Sequence, residues 1–165
     1  MTDISIIDPR DLTGLGSRLR AGDQMIVWTN GCFDLLHVGH ARSLRAASGF
    51  GDVLIVGVNS DASVRRLKGP GRPLLPSADR AELVASLGCV DHVVVFDEDT
   101  PEECIRRLRP VVHCKGADYA PPHGKPIPEA AIVSACGGRV EYLPLVPELS
   151  TTELIRRLQS LPGRG

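Results

Sequence analysis

Short apolar runs alternate with segments of helical spacing along most of the chain. The apolar runs are rich in β-branched residues and almost unbroken, as is typical of strands that are covered on both faces. They occupy residues 24–29, 52–58, 91–96, 111–114 and 139–143. The segments of helical spacing occupy residues 38–48, 61–67, 79–87, 101–108, 128–136 and 151–159, with a weaker one at 11–20. The pattern therefore predicts an α/β protein.

The regular alternation of strand and helix predicts a Rossmann-like, doubly wound domain with a five-stranded parallel sheet. A chain of 165 residues has the length of one domain, and we expect residues 1–165 to form a single one. In an open parallel sheet the ligand crevice lies beyond the carboxyl ends of the strands. Candidate site residues should therefore follow the predicted strands.

Capping residues mark the ends of several predicted helices. Thr100 and Glu103 predict a capping box at the start of one helix, and Ser150 and Glu153 predict another at the start of the last helix. The sequence CGG at 136–138 predicts the end of the helix before the last strand, because glycine tolerates the left-handed conformation of a C-cap.

The composition narrows the kind of partner that this protein binds. The chain has 42% hydrophobic and 24% charged residues and a formal net charge of −1. This balance excludes intrinsic disorder and a strongly basic surface for nucleic acid, so we expect small-molecule partners. The acidic N-terminal residues lack the pattern of a signal peptide, so we expect none, and no apolar run is as long as a membrane span. Five scattered cysteines without a C-x-x-C pair indicate reduced thiols and a cytoplasmic location.

Two histidines lie three residues apart where the first predicted strand leads into a helix, in the sequence TNGCFDLLHVGH at 29–40. At this spacing His37 and His40 can face the same ligand beyond the helix N-terminus. A helix N-terminus attracts phosphate, and imidazole donates hydrogen bonds to phosphate oxygens as charge builds during transfer. The pair therefore indicates a phosphate site. A pair of metal ligands or two surface histidines would show the same spacing, but no third metal ligand is evident at a matching spacing.

Three other segments could complete a phosphate or nucleotide site. Lys68 and Arg72 supply positive charge in an irregular stretch, and STTE at 150–153 supplies hydroxyl groups and helix N–H groups. The segment KGADY at 115–119 follows the fourth predicted strand and suits a ribose hydroxyl or a base. Each segment alone would be an ordinary surface feature. Cys32 lies near the histidines, but a packing thiol is the simpler interpretation, so no covalent nucleophile is predicted.

The segment TNGCFDLLHVGH resembles the H-x-G-H signature of the cytidylyltransferase-like nucleotidyltransferases. The segment LSTTELIRR at 149–157 resembles the C-terminal I-S-T/S-T motif of the same superfamily. Within it, residues 58–73, 96–105 and 115–119 are similar to segments of the adenylyltransferase domain of the D-glycero-β-D-manno-heptose 1-phosphate enzymes. The resemblance covers residues 24–158, which we take as the core of the domain.

The resemblance implies an enzyme that transfers AMP from ATP to a sugar 1-phosphate and releases pyrophosphate. The implied acceptor is D-glycero-β-D-manno-heptose 1-phosphate, the product is an ADP-sugar, and the triphosphate carries Mg²⁺. The phosphate of the acceptor is the nucleophile, so the protein supplies positioning and charge stabilisation. A CTP-dependent transferase for glycerol 3-phosphate or another polyol phosphate is the alternative within the superfamily. A non-catalytic nucleotide-binding module is the alternative of another class.

The resemblance also implies a role for each site residue. His37, His40 and Lys68 are implied to be catalytic, the histidines by stabilising the transition state and Lys68 by neutralising phosphates. The nucleotide would be bound by Thr29, Asn30, Gly31, Cys32, Phe33, His37, His40, Lys115, Gly116, Asp118, Tyr119, Ser150, Thr151 and Thr152. The acceptor would be bound by Asp34, Asn59, Lys68 and Arg72, with the ordering of a loop as the other role open to Asp34. No residue is assigned to a metal.

The chain departs from the relatives that it resembles in three respects. Glycerol phosphate cytidylyltransferases carry an arginine shortly before S-T-T, whereas residues 144–149 contain no basic residue, which argues against a CTP site of that kind. The heptose family often has a glycine where Glu148 and Leu149 stand. Bifunctional relatives begin with a sugar kinase domain, but the first strand is predicted at residue 24, so we expect a separate chain to supply the kinase. Members of the superfamily commonly form dimers, and we expect a homodimer.

Overall fold

One six-stranded parallel sheet with helices on both faces forms the fold, in a computed structural model that describes residues 5–144, 147 and 150–162. The strands are Ser5–Ile7 (β1), Ile26–Gly31 (β2), Val53–Asn59 (β3), His92–Phe96 (β4), Val112–Gly116 (β5) and Arg139–Leu143 (β6). Their order across the sheet is β1-β4-β3-β2-β5-β6, and each pair of neighbours is parallel. The predicted α/β class and parallel sheet are therefore confirmed.

Helices connect the strands at the places that the sequence predicts. In the described residues they are Leu12–Ala21 (α1), Val38–Ser48 (α2), Asp61–Lys68 (α3), Ser77–Ala85 (α4), Glu102–Leu108 (α5), Ala130–Ala135 (α6) and Thr151–Gln159 (α7). Each predicted helical segment overlaps one of them, with ends that differ by two residues or fewer. Short 3-10 turns at Pro9–Asp11 and Ala117–Tyr119 precede α1 and follow β5. None of the helices described is both long enough and apolar enough to cross a membrane.

The sheet has six strands rather than the five predicted, because the N-terminal segment adds β1 at the edge beside β4. Only Ser5 to Ile7 pair with β4, and Pro9 starts a 3-10 turn two residues later. A run of three residues is too short for a period-two pattern that would separate a strand from a loop. The prediction of five strands was wrong for this reason, while all five predicted strands are present.

Alternate strand residues build two hydrophobic layers, one on each face of the sheet. Val27 points into the layer covered by α2 and α4, whereas Ile26 and Trp28 point into the layer covered by α1, α5 and α6. Every residue of β3, from Val53 to Asn59, is buried, as its nearly continuous apolar sequence predicts. The two layers fix the strands on which the site residues stand.

The predicted end of α6 is confirmed, and so is the Ser150 half of the capping box predicted at the start of α7, whereas the carboxylate of Glu153 pairs with Arg156. Ser150 caps α7, since its hydroxyl oxygen accepts a hydrogen bond from the N–H of Glu153 at 3.1 Å. α6 is followed by Gly137, which has a left-handed φ of +80°, and the N–H of Gly138 donates to the carbonyl oxygen of Val133 at 2.9 Å. This is the hydrogen-bond pattern of a glycine C-cap.

The capping box predicted at Thr100 and Glu103 is wrong. α5 begins after Pro101, and no side chain caps it. The hydroxyl of Thr100 donates to the carboxylate of Glu102 at 3.1 Å, while Glu103 accepts from Arg107 one turn later at 2.8 Å. The side chains of Thr100 and Glu103 therefore bind other charged groups and not the backbone at the start of α5.

The direction of the chain across the sheet reverses between β2 and β5. From β2 the chain moves outward to β3 and β4, and it then returns to place β5 on the other side of β2, followed by β6. Connections that leave two neighbouring strands in opposite directions open a crevice at the carboxyl ends of those strands. The fold therefore places its ligand crevice at the ends of β2 and β5.

Candidate active site

A cleft of about 1310 Å³ opens at the carboxyl ends of β2, β3 and β5. All residues assigned above to the nucleotide, the acceptor and the transfer step line it. They come from the turn after β2, the end of β3, the loop after α3, the end of β5 and the start of α7. The volume exceeds the roughly 300–1,000 Å³ of ordinary small-molecule pockets, so the cleft has room for two substrates.

His37 and His40 are fixed at the start of α2 by hydrogen bonds with the backbone. His37 is the N-cap of α2, and its Nδ1 accepts from the N–H of Gly39 at 3.1 Å. The N–H of His37 in turn donates to Nδ1 of His40 at 3.4 Å. Because Nδ1 is the acceptor in both rings, each neutral ring carries its proton on Nε2. The spacing of three residues therefore serves helix capping and leaves two Nε2–H donors for a ligand.

Both imidazoles are held in the neutral form. Burial lowers the pKa of His40 to about 4, with a smaller contribution from the neighbouring His37, and burial also lowers the pKa of His37. The rings stack with their centroids 3.8 Å apart, so protonation of both would place two positive charges in contact. Neutral rings still donate from Nε2, and such hydrogen bonds strengthen as negative charge grows on a bound phosphate.

Phe33 and Gly31 shape the turn between β2 and α2. Phe33 has a left-handed φ of +49°, a conformation that costs a residue with a side chain roughly 1–2 kcal/mol. Its ring lies edge-on to the imidazole of His40, with centroids 5.3 Å apart. A Cβ at Gly31 would lie 3.2 Å from the Phe33 ring, so glycine leaves the space that this ring needs. The turn therefore buries one face of His40.

Asp34 orders the loop that follows α3. Its buried carboxylate accepts hydrogen bonds from the N–H groups of Leu74 at 2.8 Å and Leu75 at 3.1 Å, and it pairs with the guanidinium of Arg72. Burial alone would raise the pKa of Asp34, but the hydrogen bonds from Arg72, Leu75 and Leu74 outweigh burial and hold the pKa below its ordinary value. Both carboxylate oxygens are occupied by the protein, which favours the loop-ordering role over contact with an acceptor.

The side chains expected to bind the acceptor differ in whether they already have partners within the protein. Lys68 is the last residue of α3, and its side chain is exposed at the cleft. The guanidinium of Arg72 is paired with Asp34, and the amide of Asn59 donates to the hydroxyl of Ser63 at 3.0 Å. Lys68 is therefore the group in this part of the cleft that is best placed to bind a phosphate.

Glu129 joins two basic side chains beside β5. Its Oε1 lies 2.9 Å from Nε2 of His113 and 2.7 Å from Nζ of Lys115. Burial alone would raise the pKa of Glu129, but the hydrogen bonds from His113 and Lys115 outweigh burial and lower the pKa to about 2. The ionised carboxylate therefore fixes the ammonium of Lys115 at the wall of the cleft.

The loop after β5 brings an aromatic ring into contact with two ammonium groups. Nζ of Lys115 lies 4.8 Å from the centroid of the Tyr119 ring, and Nζ of Lys125 lies 5.3 Å from it. Lys125 also pairs with Asp118 at 2.5 Å. A Cβ at Gly124 would lie 2.2 Å from the backbone of Tyr119, so the closed loop requires glycine there. An aromatic ring beside a carboxylate suits a nucleoside.

The start of α7 lines the cleft with hydroxyl and guanidinium groups. Ser150, Thr151 and Thr152 lie there, followed by Arg156 and Arg157. The hydroxyl of Ser150 accepts the capping hydrogen bond and can still donate its own proton to a ligand. The N–H groups of the first turn add a partial positive charge. This part of the cleft therefore suits an anion.

Several residues that line or support the cleft were not predicted from the sequence. Glu129, Arg156 and Arg157 line it, and the buried Arg80 donates to the carbonyl oxygen of Cys32 at 2.5 Å. Arg156 and Arg157 stand inside the segment LSTTELIRR and could have been found from it. Glu129 and Arg80 gave no such signal, because their burial and their partners depend on segments that are distant in the sequence.

The geometry bears on two other interpretations of these residues: Cys32 as a nucleophile and the two histidines as metal ligands. Burial raises the pKa of the Cys32 thiol, so the thiol is protonated near neutral pH and is not an activated nucleophile. Within residues 5–144, 147 and 150–162, no group of three His, Cys, Asp or Glu side chains is arranged to hold a metal ion. Glu148 and Leu149, where relatives often carry glycine, lie outside the described residues.

Comparison with known proteins relates this cleft to one family. A family model described as cytidylyltransferase-like matches residues 28–157, a range that contains both histidines and the STTE segment. A bifunctional protein HldE from Geobacter metallireducens is 48% identical over 157 residues, which cover 95% of this chain and 31% of that protein. The HldE of Streptomyces coelicolor is 50% identical over 150 residues, which cover 91% of this chain and 32% of that protein. This chain thus spans about a third of the length of the curated relatives that it matches.

A solved structure supports the fold. It is described as a lipopolysaccharide core biosynthesis protein from Thermoplasma volcanium, and it superposes with a TM-score of 0.60. The two chains are 23% identical, and the match covers 74% of this chain and 97% of that chain. At this identity the likeness establishes the Rossmann-like fold alone.

The family match is broad as well as specific. It runs from within β2 to within α7, so it spans every segment that supplies the cleft. The curated relatives are about half identical to the chain over most of its length. We therefore conclude that this chain belongs to the cytidylyltransferase-like family.

Proposed function

We propose that this protein is a nucleotidyltransferase that moves AMP from ATP to D-glycero-β-D-manno-heptose 1-phosphate, giving an ADP-sugar and pyrophosphate. One observation carries the proposal: the Nε2–H donors of His37 and His40 and the start of α7 line the same cleft. Such groups suit a triphosphate. Membership of the cytidylyltransferase-like family and similarity to HldE proteins support nucleotidyl transfer, and the resemblance to heptose 1-phosphate adenylyltransferases suggests the acceptor.

In this reaction an oxygen of the acceptor phosphate attacks the α-phosphorus of ATP. The new P–O bond forms while the bond from the α-phosphorus to the bridging oxygen breaks, and pyrophosphate leaves with that electron pair. Negative charge grows on the oxygens around the α-phosphorus and on the leaving group. His37 and His40 would donate from Nε2 to these oxygens, and the ammonium of Lys68 would neutralise phosphate charge.

The triphosphate tail would lie at the start of α7. The hydroxyl groups of Ser150, Thr151 and Thr152 line the cleft there, together with the guanidinium groups of Arg156 and Arg157. Hydroxyl donors and helix N–H groups would hold the β- and γ-phosphates, and the arginines would offset their charge. The leaving pyrophosphate would therefore be held by groups that do not themselves react.

The adenosine would lie at the loop after β5. The ring of Tyr119 offers an apolar face, and the carboxylate of Asp118 offers an acceptor for a ribose hydroxyl. Lys115, fixed by Glu129, would place its ammonium close to this half of the nucleotide. The backbone from Thr29 to Phe33 would line the rest of the nucleotide site.

Mg²⁺ would enter with ATP and not at a site built from carboxylates. Every carboxylate that lines the cleft within the described residues is paired with a basic side chain. The pairs are Asp34–Arg72, Asp99–Arg66, Asp118–Lys125, Glu129–Lys115 and Glu153–Arg156. Phosphate oxygens and water are then the natural ligands of the ion, which agrees with the way Mg²⁺ accompanies nucleotides. Bound in this way, it would neutralise charge on the phosphates.

A matrix of substrates tests the proposed reaction. ATP, CTP, GTP and UTP are each incubated with heptose 1-phosphate, glucose 1-phosphate or glycerol 3-phosphate, and pyrophosphate release is measured with Mg²⁺ present. We expect release with ATP and heptose 1-phosphate, and an ADP-heptose product by mass spectrometry. The double variant His37→Ala/His40→Ala, purified in the same way, controls for contaminating enzymes.

The other outcomes of this matrix decide between the alternatives. Turnover with CTP and glycerol 3-phosphate alone would replace the heptose assignment with a cytidylyltransferase for polyol phosphates. Nucleotide binding by calorimetry, without pyrophosphate release for any acceptor, would identify a binding module. Release with ATP and glucose 1-phosphate in preference to the heptose would retain adenylyl transfer and change the sugar.

A further inference from the structure

Arg80 in α4 is fully buried, and nothing in the proposed reaction uses it. Its Nε donates to the carbonyl oxygen of Leu75 at 2.9 Å, and one terminal nitrogen donates to the carbonyl oxygen of Cys32 at 2.5 Å. The other terminal nitrogen pairs with the carboxylate of Asp61 at 2.8 Å. A buried charge is costly unless it is paired and hydrogen-bonded, and each nitrogen of this guanidinium has a partner.

The three partners lie in three different segments around the cleft. Cys32 belongs to the turn after β2, which leads into the helix that carries both histidines. Leu75 belongs to residues 69–76, the loop after α3. Asp61 begins α3, and α3 ends at Lys68. One side chain therefore connects the three segments that bring a histidine pair, a loop and a lysine to the cleft.

Asp34 makes a reciprocal connection between two of the same segments. From the turn after β2, its carboxylate accepts the N–H groups of Leu74 and Leu75 in the loop. From α4, Arg80 donates to the carbonyl oxygens of Leu75 in the loop and of Cys32 in the turn. The carboxylate of Asp34 thus binds the N–H groups of the loop, and the guanidinium of Arg80 binds a carbonyl oxygen of the loop. This arrangement specifies the position of the loop more closely than packing alone.

We propose that Arg80 is a positioning residue that holds the turn after β2, the loop 69–76 and α3 in one arrangement, so that His40 and Lys68 act on the same phosphates. The proposal rests on the proposed function, since it assigns the main cost of losing Arg80 to the transfer step. Arg80 does not line the cleft, so its effect on the reaction must pass through the segments that it holds. A displacement of about 1 Å in such segments can cost roughly 10²-fold in rate.

Arg20, which is partly buried, provides a control for the loss of an arginine that donates to a backbone carbonyl oxygen. Its terminal nitrogen donates to the carbonyl oxygen of Leu108 at 2.5 Å, a contact between α1 and the end of α5. Leu108 precedes β5, so this contact lies at the amino ends of the strands, on the side away from the cleft. Arg20→Lys removes a comparable hydrogen bond without touching the three segments.

The first measurement follows the segments without any substrate. Hydrogen–deuterium exchange by mass spectrometry is compared in the wild type, Arg80→Lys and Arg20→Lys. We expect Arg80→Lys to speed exchange in peptides that cover 69–76, where the N–H groups of Leu74 and Leu75 are held, and Arg20→Lys to leave these peptides unchanged. Unchanged exchange in 69–76, or a uniform rise in every peptide, would overturn the proposal.

The second measurement follows the reaction. We expect Arg80→Lys to lower kcat by roughly 10–100-fold, with a KM for the nucleotide that changes much less, and Arg20→Lys to keep kcat within about twofold. In the Lys68→Met background, Arg80→Lys should lower kcat by a markedly smaller factor, because part of the effect of Arg80 is to position Lys68. Fully additive losses, or equal losses for both lysine variants, would contradict the positioning role.

A milder variant covers the case in which Arg80→Lys does not fold. Asp61→Asn removes the charged partner of Arg80 and retains both contacts with carbonyl oxygens. It should speed exchange in 69–76 and lower kcat in the same direction by a smaller factor. If the wild type releases no pyrophosphate with any substrate pair, the proposed function fails, while the exchange data still decide whether Arg80 positions the loop.

Discussion

Backbone contacts select the tautomer of each histidine in the cleft. Because the N–H of Gly39 and the N–H of His37 occupy the two Nδ1 atoms, Nε2–H is directed away from the helix cap in both rings. These donors are in place before a substrate arrives, so no reorganisation is needed as charge develops. At the scale of single residues, the site is therefore preorganised by the same contacts that begin α2.

Replacing His40 with alanine should separate transition-state binding from substrate binding. His40→Ala is expected to lower kcat by roughly 10²–10³ while the KM for the nucleotide changes much less, because its hydrogen bond strengthens only as charge builds. Steady-state kinetics of pyrophosphate release measure both constants. His123→Ala is the control, since His123 is exposed and does not line the cleft. Equal losses in kcat and in nucleotide affinity would make His40 a ground-state ligand.

The neutral state of His40 has a consequence for stability at low pH. Its pKa in the folded protein is about 4, below the ordinary value of 6.5, so the unfolded chain binds a proton that the folded chain does not. The contribution to stability is complete above pH 6.5 and is lost as the pH falls towards 4. In urea unfolding between pH 7.5 and 4, the wild type should lose roughly 1–3 kcal/mol more than His40→Gln.

A direct titration checks the same point. The ring signals of His40 in nuclear magnetic resonance should shift with a midpoint near 4 in the folded protein without ligand. The urea-unfolded protein, in which the ring is open to solvent, serves as the reference. A midpoint of His40 close to 6.5 would show that the ring is protonated as easily as in an unfolded chain, and the neutral-donor description would then fail.

At the scale of elements, α7 combines capping with anion binding at one serine. The hydroxyl oxygen of Ser150 caps the helix, and the same group lines the cleft. Aspartate is an equally good N-cap but carries a negative charge. The two roles of Ser150 can therefore be separated by substitution.

Ser150→Asp should keep the stability of the protein and weaken the triphosphate site. We expect thermal unfolding within about 0.5 kcal/mol of the wild type, and a KM for ATP that rises by 10-fold or more, because the carboxylate repels phosphate. Ser150→Ala should instead cost about 1 kcal/mol of helix stability and raise the KM less. Ser150→Thr, which retains the cap and the hydroxyl, is the control. A Ser150→Asp variant with wild-type KM would place the triphosphate elsewhere.

Elements that depend on local sequence signals were predicted well. Helix ends with their own capping residues, at Ser150 and at Gly137, follow from neighbouring residues and are present in the structure. Thr100 does not cap α5, because its hydroxyl donates to the carboxylate of Glu102 two residues away. The local sequence offered two partners for this hydroxyl and did not show which one it would bind. β1 failed because its pairing depends on β4, far along the chain, and three residues carry too little pattern.

At the scale of the whole molecule, Trp28 makes close contacts with two neighbouring strands of the sheet. This side chain is fully buried, and its ring packs against Gly57 in the neighbouring strand and against Phe96. A Cβ at position 57 would lie only 2.5 Å from the Trp28 ring. Trp28 directly precedes Thr29, which lines the cleft, so this contact affects both the packing of the core and the geometry of the site.

Gly57→Ala should destabilise the entire fold. The added methyl group has no space beside Trp28 and Phe96, and overpacking of this kind costs about 1–3 kcal/mol. Denaturant unfolding measures the loss. Gly88→Ala is the matched control, because no atom lies within 4 Å of a Cβ at Gly88, and surface changes stay within about 0.5 kcal/mol. Equal unfolding free energies for the two variants would mean that the core adapts to the methyl group.

The position of the cleft and most of its lining follow from sequence, whereas the connections between its parts do not. Parallel strands align their carboxyl ends, so polar residues after β2 and β5 were expected to meet. The role of Asp34 in ordering a loop, the Glu129 carboxylate beside Lys115 and the buried Arg80 depend on pairs of segments that only the folded chain brings together. Periodicity and spacing describe one segment at a time and carry no information on such pairs.

The hold on loop 69–76 has a consequence for protein engineering. A loop grafted from a relative would have to form hydrogen bonds with two side chains that lie outside it, Asp34 in the turn and Arg80 in α4. A graft that alters where the loop offers its N–H groups and its carbonyl oxygen would leave the buried carboxylate of Asp34 without these donors and Nε of the buried Arg80 without its acceptor. Exchange of this loop between family members should therefore succeed as a three-part transplant of turn, loop and helix, and fail when the loop is moved alone.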